Sequence, residues 1–163
     1  MRTVIAFVTL LLVAVGSRAA DPVYLDQLIE TPLATLQTQF GEGLRKEGCY
    51  RVADGRYLLL TMDKKDGKPW RVALSNSEPC RKPGDGPLLD VRHRSGIELG
   101  DSTITIVEKL GRPDAAAAPE TALRKLGDME YFYVCRVSEG CARHTSVFIR
   151  NGLVSALAEW YSQ

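Results

Sequence analysis

The sequence predicts an α+β protein built as two tandem units, each a helix followed by a three- to four-stranded antiparallel meander, with the helices packed on one face of a sheet. Three observations predict it. Runs with helical spacing stand at 29–42 and 99–112, each is followed by β-rich runs divided by turn residues, and a Pro/Gly-rich connector at 76–90 separates the halves.

The chain opens with MRTVIAFVTLLLVAVGSRAA, in which one Arg precedes an unbroken apolar run from Val4 to Val15 and small residues close the segment. This pattern predicts a secretory signal peptide over 1–20, cut after Ala19 or Ala20. As a membrane anchor the run is short, about 12 residues against roughly 20 needed to span a bilayer. The expected location is therefore periplasmic or secreted, without membrane insertion and, lacking a Cys near the cut, without a lipid anchor. Losing Arg2 and Arg18 takes the basic count from 21 to 19 against 20 acidic residues. A chain so near neutrality has no electrostatic pull toward nucleic acid or anionic lipid. The remaining length suits one ordinary core or two small units sharing one. Those units are expected over 21–90, including the connector, and over 91–163.

Cys49, Cys80, Cys135 and Cys141 all survive cleavage. In an exported chain two disulfides follow, with three pairings open. The sequential pairing is preferred, because Cys49 and Cys80 bracket one β-like block and Cys135 and Cys141 flank RVSEG at a hairpin end. Zinc or redox chemistry would need CxxC-like spacing, which is absent.

In the first unit, Tyr24, Leu25, Leu28 and Ile29 suggest a short helix that Thr31-Pro32 interrupts. Thr31 as cap and Pro32 as first residue would start a second helix carrying Leu33, Leu36 and Phe40, which Gly41 and Gly43 stop. From Cys49 the period changes, and CYRVAD, RYLLLTM and WRVALS read as strands separated by turns. The DKKDGK hexamer between the last two lacks the alternating acids and closing Glu of a calcium loop, so it reads as a hairpin turn.

In the second unit, DSTITIVEKLG is followed by the loop RPDAAAAPE, the turn-rich RKLGD, and the strands MEYFYVCR, HTSVFIR and LVSALAEW, the last two joined by Asn151-Gly152. STITIV alternates as a strand would. Against that, Asp101 or Ser102 offers a cap, Ile104, Val107 and Leu110 fall three apart, and Gly111 with Pro113 forms a stop, so a helix is predicted. A phosphate loop is excluded because a single Gly100 cannot form the required nest of amides. Residues 29–42 and 99–112 match at an offset of 70, pairing Leu36 with Ile106 and Phe40-Gly41 with Leu110-Gly111.

The run GIELGDSTITIVEKLGRPD, through Ile97, Gly100, Ser102, Val107, Leu110, Gly111 and Pro113, resembles a recurring segment of the SmpA/OmlA lipoproteins, the BamE-like family, and of the β-lactamase inhibitor proteins. The resemblance covers nearly all of the second half and the first half loosely. It implies a continuous sheet with helices on one face and a habit of binding proteins. The lipid-acceptor Cys of the lipoproteins is missing, and no loop matches those that inhibitor proteins insert into a β-lactamase.

No residue is assigned a catalytic role, and no cofactor or metal is expected. His93 in VRHRSG and His144 in CARHTS stand beside arginines and read as solvated surface histidines, and no His/Cys/Asp/Glu cluster has ligand spacing. The positive feature is aromatic. Strand alternation separates Tyr131 and Tyr133 from Phe132, and Val154, Ala156, Ala158 and Trp160 from Leu153, Ser155 and Leu157. With helices over Phe132 and the small-residue row, Tyr131, Tyr133 and Arg150 are expected on the open face, and with Trp70 they form the expected protein-binding set. The function expected is a non-catalytic protein-binding module, an inhibitor or immunity-type protein acting on an envelope-active enzyme or toxin. An accessory role in envelope assembly and a small periplasmic hydrolase are the alternatives.

Overall fold

The computed structural model describes residues 21–63, 65, 67–134 and 143–161. The expected signal peptide and the Cys135–Cys141 bridge fall outside them. Among the described residues the elements run β1 (Val23–Tyr24), α1 (Leu25–Glu30), α2 (Leu33–Phe40), β2 (Glu47–Arg51), β3 (Tyr57–Met62), β4 (Pro69–Ser75), β5 (Gly84–Asp85), β6 (Val91–Arg92), α3 (Thr103–Leu110), β7 (Ala115–Ala117), β8 (Met129–Val134), β9 (Arg143–Arg150) and β10 (Leu153–Tyr161).

The six long strands form where alternating, β-branched and aromatic residues predict them. Their assembly differs from the expected one. The tandem α+β arrangement does not hold: the described residues are mostly β, with three short α-helices, an eight-stranded sheet in the order β5-β2-β3-β4-β10-β9-β8-β7 and a separate parallel pair β1-β6. The physical reason is that strands from both halves share one ladder. Antiparallel β4 and β10 pair from Ser75 opposite Ala156 to Arg71 opposite Trp160, so neither half closes on itself. The predicted connector adds β5, parallel to β2, and the predicted alanine loop adds β7 beside β8. Helices of 6, 8 and 8 residues are too short to form a layer equal to that sheet.

One face of the sheet carries the main core. Tyr50, Leu58, Leu74, Leu157, Val147 and Tyr131 lie opposite one another across six strands. Leu25, Leu28 and Ile29 from α1, Leu36 and Phe40 from α2 and Ile106 from α3 are buried over this face. Each such side chain contributes about 1.5–3 kcal/mol when fully buried, so this face dominates the stability.

The second face carries a smaller cluster of Leu59, Ala73, Phe148, Ala156 and Ala158, covered by Leu123 and Leu126. The segment bearing those leucines is tied down at close range. Asp128 N donates to Ile149 O at 2.9 Å and Ser155 Oγ to Leu126 O at 2.6 Å. A Cβ on Gly127 would lie 2.9 Å from Ile149 N, which explains a glycine at this approach.

The stretch 99–112 contains a helix, as predicted. Ser102 is its cap and accepts from Thr105 N at 3.3 Å, and Gly111 closes it at φ 79°. Its core-facing residue is Ile106, while Ile104 is 70% exposed, so the expected stripe through Ile104 and Val107 is corrected by a turn of the helix. At the start of α2, Pro32 stands in the cap position and Thr31 instead closes α1, its Oγ1 donating to Gln27 O at 2.8 Å.

Cys49 and Cys80 are bridged, with Cα atoms 6.5 Å apart and a sequence separation of 31. The bridge ties the connector to β2. In the chain-entropy account a loop of this size stabilises by about 3–4 kcal/mol. Urea unfolding of the Cys49→Ser, Cys80→Ser variant is expected to show that loss with an altered slope, the unfolded chain being less constrained.

Candidate functional site

Two polar arrangements stand out, one on each face. On the helix-bearing face, Glu159 points inward from β10 between Val72 and Thr145 on its neighbours. It is 5% exposed and His93, from the turn after β6, is 7% exposed. His93 Nε2 lies 2.7 Å from Glu159 Oε1 and Nδ1 lies 2.6 Å from Ser95 Oγ. The Ser95 amide also donates to Nδ1 at 3.2 Å. That donor assigns the acceptor role to Nδ1 and the ring proton to Nε2, aimed at the carboxylate. Thr145 Oγ1 donates to Oε1 at 2.8 Å and Arg143 Nε stands 3.5 Å from Oε2. A buried carboxylate is tolerated only when paired and hydrogen-bonded in this way.

The expectation that His93 is a solvated surface histidine is therefore overturned. The signal that could have found the pair was in the strand itself: Glu159 is the one charge in LVSALAEW, on the row with Leu157, and an inward charge demands a partner. A cleft of about 260 Å³ lies beside it, lined by Asp26, Ser95, Tyr133, Arg143, Thr145 and Glu159 among others.

On the other face, β8, β9 and β10 bring Phe132, His144 and Trp160 together. Ring centroids are 5.1 Å apart for Phe132 and His144, 5.4 Å for Phe132 and Trp160, and 4.8 Å for His144 and Trp160. Trp160 Nε1 donates to Ser146 Oγ at 2.9 Å, and Ser146 Oγ donates to Glu130 Oε1 at 2.6 Å. Beside these rings opens a cleft of about 370 Å³, with Arg71, Glu120, Leu123 and Phe148 also in its lining. Arg71 sits opposite Trp160 on β4. Burial pulls its guanidinium below the ordinary arginine value, while the carboxylates of Glu47, Glu120 and Glu130 act the other way. Arginine nonetheless stays protonated in proteins, so the cleft holds one fixed cation with the two carboxylates of Glu120 and Glu130.

The predicted binding set is not brought together as expected. Tyr133 is 2% exposed in the main core, its hydroxyl donating to Gly111 O at 3.3 Å, and Tyr131 is packed against the same core. Both therefore lie on the helix-bearing face, and Phe132 is on the other. Arg150 is half-buried and used internally: Nη2 donates to Arg124 O at 3.2 Å and Lys125 O at 3.1 Å. Trp70 lies at the second cleft, with the Arg71 guanidinium 4.6 Å from its ring centroid. The inversion lies in which face the helices cover: Phe132 shares a face with Ala156, Ala158 and Trp160, as alternation predicts, but α1, α2 and α3 pack on the opposite face. A bulge at Ser155 interrupts the β9–β10 register between Val154 and Ala156, so Val154 joins Leu157 in the main core while Ala156, Ala158 and Trp160 face the other way. Strict alternation through LVSALAEW misses this extra residue.

Among the described residues no group of three or more His, Cys, Asp or Glu side chains is gathered as a metal site, and no helix is long and apolar enough to cross a membrane. No family model matches the chain, and no curated protein or solved structure matches it at a significant level.

The Glu159 array is a buried network whose members depend on one another. Glu159→Ala would leave the His93 Nε2–H and the Thr145 hydroxyl without their acceptor. A loss of about 1–3 kcal/mol is expected for each buried donor left unsatisfied. Thr145→Val, removing one neutral donor, should cost only about 1 kcal/mol in the same urea titration.

Proposed function

We propose that this chain is an exported, non-catalytic protein-binding module of inhibitor or immunity type, acting on an envelope-active enzyme or toxin through the Phe132–His144–Trp160 surface. The observation that carries the reading is this cluster of three mutually packed, half-buried rings on the face opposite the three α-helices, beside Val134 at 44% exposure. Large aromatic side chains with a polar handle are the residues that most often anchor protein interfaces, since they cover much area with few rotatable bonds. The resemblance of residues 96–114 to the BamE-like lipoproteins and the β-lactamase inhibitor proteins points the same way.

A photo-crosslinker at position 132 should capture one stoichiometric partner from an envelope extract. Trp160→Ser should lose that product while Ile104→Ser, exposed on α3, retains it. An enzyme or toxin that loses activity on capture supports inhibition, barrel-assembly components support the accessory role, and retention by Trp160→Ser removes the surface from the proposal.

The Ser95–His93–Glu159 contacts favour a second reading, a small hydrolase. In it Ser95 Oγ attacks an acyl carbonyl, its proton passes to His93 Nδ1 and then to the leaving group, and water releases the acyl chain. It ranks second because Ser95 Oγ is already held by a local turn, accepting the Ile97 amide at 3.3 Å, and the array is fully accounted for by the burial of Glu159. A fluorophosphonate probe is expected to leave the protein unlabelled. Labelling that disappears in Ser95→Ala would put the hydrolase first.

A further inference from the structure

We propose that the cleft bounded by Arg71, Glu120, Glu130, Phe132 and Trp160 receives a lysine or arginine side chain presented by the partner protein. The inference rests on the protein-binding reading above and names the chemistry of the group that is bound.

Size sets the first limit. A volume of about 370 Å³ is at the low end of ligand sites, so it admits one extended side chain. Charge sets the second. Three carboxylates, Glu47, Glu120 and Glu130, act on the single guanidinium of Arg71, and those of Glu120 and Glu130 line the cleft itself. An anionic occupant would meet these carboxylates as like charges. A purely apolar one would strip water from them without replacing it, which costs free energy for every polar group left unpaired.

The rings set the third. Aromatic faces attract cations through their quadrupole, most strongly when both are withdrawn from water. Arg71 already shows this contact at the same site, its guanidinium 4.6 Å from the Trp70 centroid. Trp160 is held for such a role: its ring is fixed by the Nε1–H bond to Ser146, and Ser146 is in turn bonded to Glu130. A cation seated here would meet ring and carboxylate together.

The test uses the mature protein and follows the indole cross-peak of Trp160, distinguished from that of Trp70 by Trp70→Phe. The probe is N-acetyl-arginine amide, with the neutral isostere N-acetyl-citrulline amide as control. The arginine probe should shift the peak saturably at millimolar concentration and lose affinity as salt is raised. Citrulline should bind about tenfold more weakly, and Glu120→Gln with Glu130→Gln should bring arginine down to the citrulline level with the thermal midpoint unchanged. Equal binding of both probes, or no shift with arginine, overturns the inference. The two readings fail separately: a crosslinked partner insensitive to the double Gln variant removes the cation site alone. A cation site that binds arginine while no partner is captured removes the protein-binding reading.

Discussion

The pairing of β4 with β10 is the constraint on which the rest of the structure depends. It sets Ala73 opposite Ala158 and Leu74 opposite Leu157, joining segments that lie more than eighty residues apart in the chain. Closing so long a loop costs conformational entropy, and the two faces together offset it. Leu74 and Leu157 lie under the helices, while Ala73 and Ala158 lie in the smaller cluster. Alanine on both sides of that second row keeps the surface low, leaving room for Leu123 and Leu126 over Phe148 and for a cleft beside Trp160. Without this register the ring cluster, which draws on β8, β9 and β10, and Arg71, which comes from β4, would not share a site.

Both polar arrangements are consequences of β10. Its length carries it past the bulge at Ser155 to Tyr161, so that the same strand delivers Glu159 to one face and Trp160 to the other. The Tyr161 hydroxyl donates to Glu30, and Glu30 is also 3.3 Å from Lys68. The strand end is thereby held to α1 and to the turn before β4. This matters for the cleft, because a frayed β10 would release both Trp160 and the carboxylate that orients His93. The buried carboxylate and the ring at the second cleft are thus carried by adjacent residues with opposite orientation.

Local structure was largely legible in the sequence, and assembly was not. The six long strands, the helix at 103–110 and the Asn151-Gly152 turn follow from alternation, capping and positive φ, which act over a few residues. Asn151 takes φ 54°, as such a turn requires. The Cys49–Cys80 bridge was legible because the two cysteines bracket one block. What escaped depends on distant or irregular features. Gly84–Asp85 and Ala115–Ala117 have no strand propensity and are strands only because a neighbour offers hydrogen bonds. The bulge at Ser155 is fixed by partners as remote as Leu126 and Asn76, and it parts Val154 from the row of Ala156 and Ala158. Tyr131 and Tyr133 were misplaced because alternation within a strand does not say which face the distant helices will cover, and His93 was misplaced because its partner lies 66 residues away.

The two outermost strands of the large sheet, β5 and β7, are two and three residues long. A sheet edge is where one chain is most easily extended by another through main-chain hydrogen bonds, and the usual protection is to keep that edge short. Here both margins are so brief that little backbone is offered for a foreign strand to lengthen. Strand addition at either margin is thereby disfavoured, and the broad surface between the margins is made of side chains rather than open backbone.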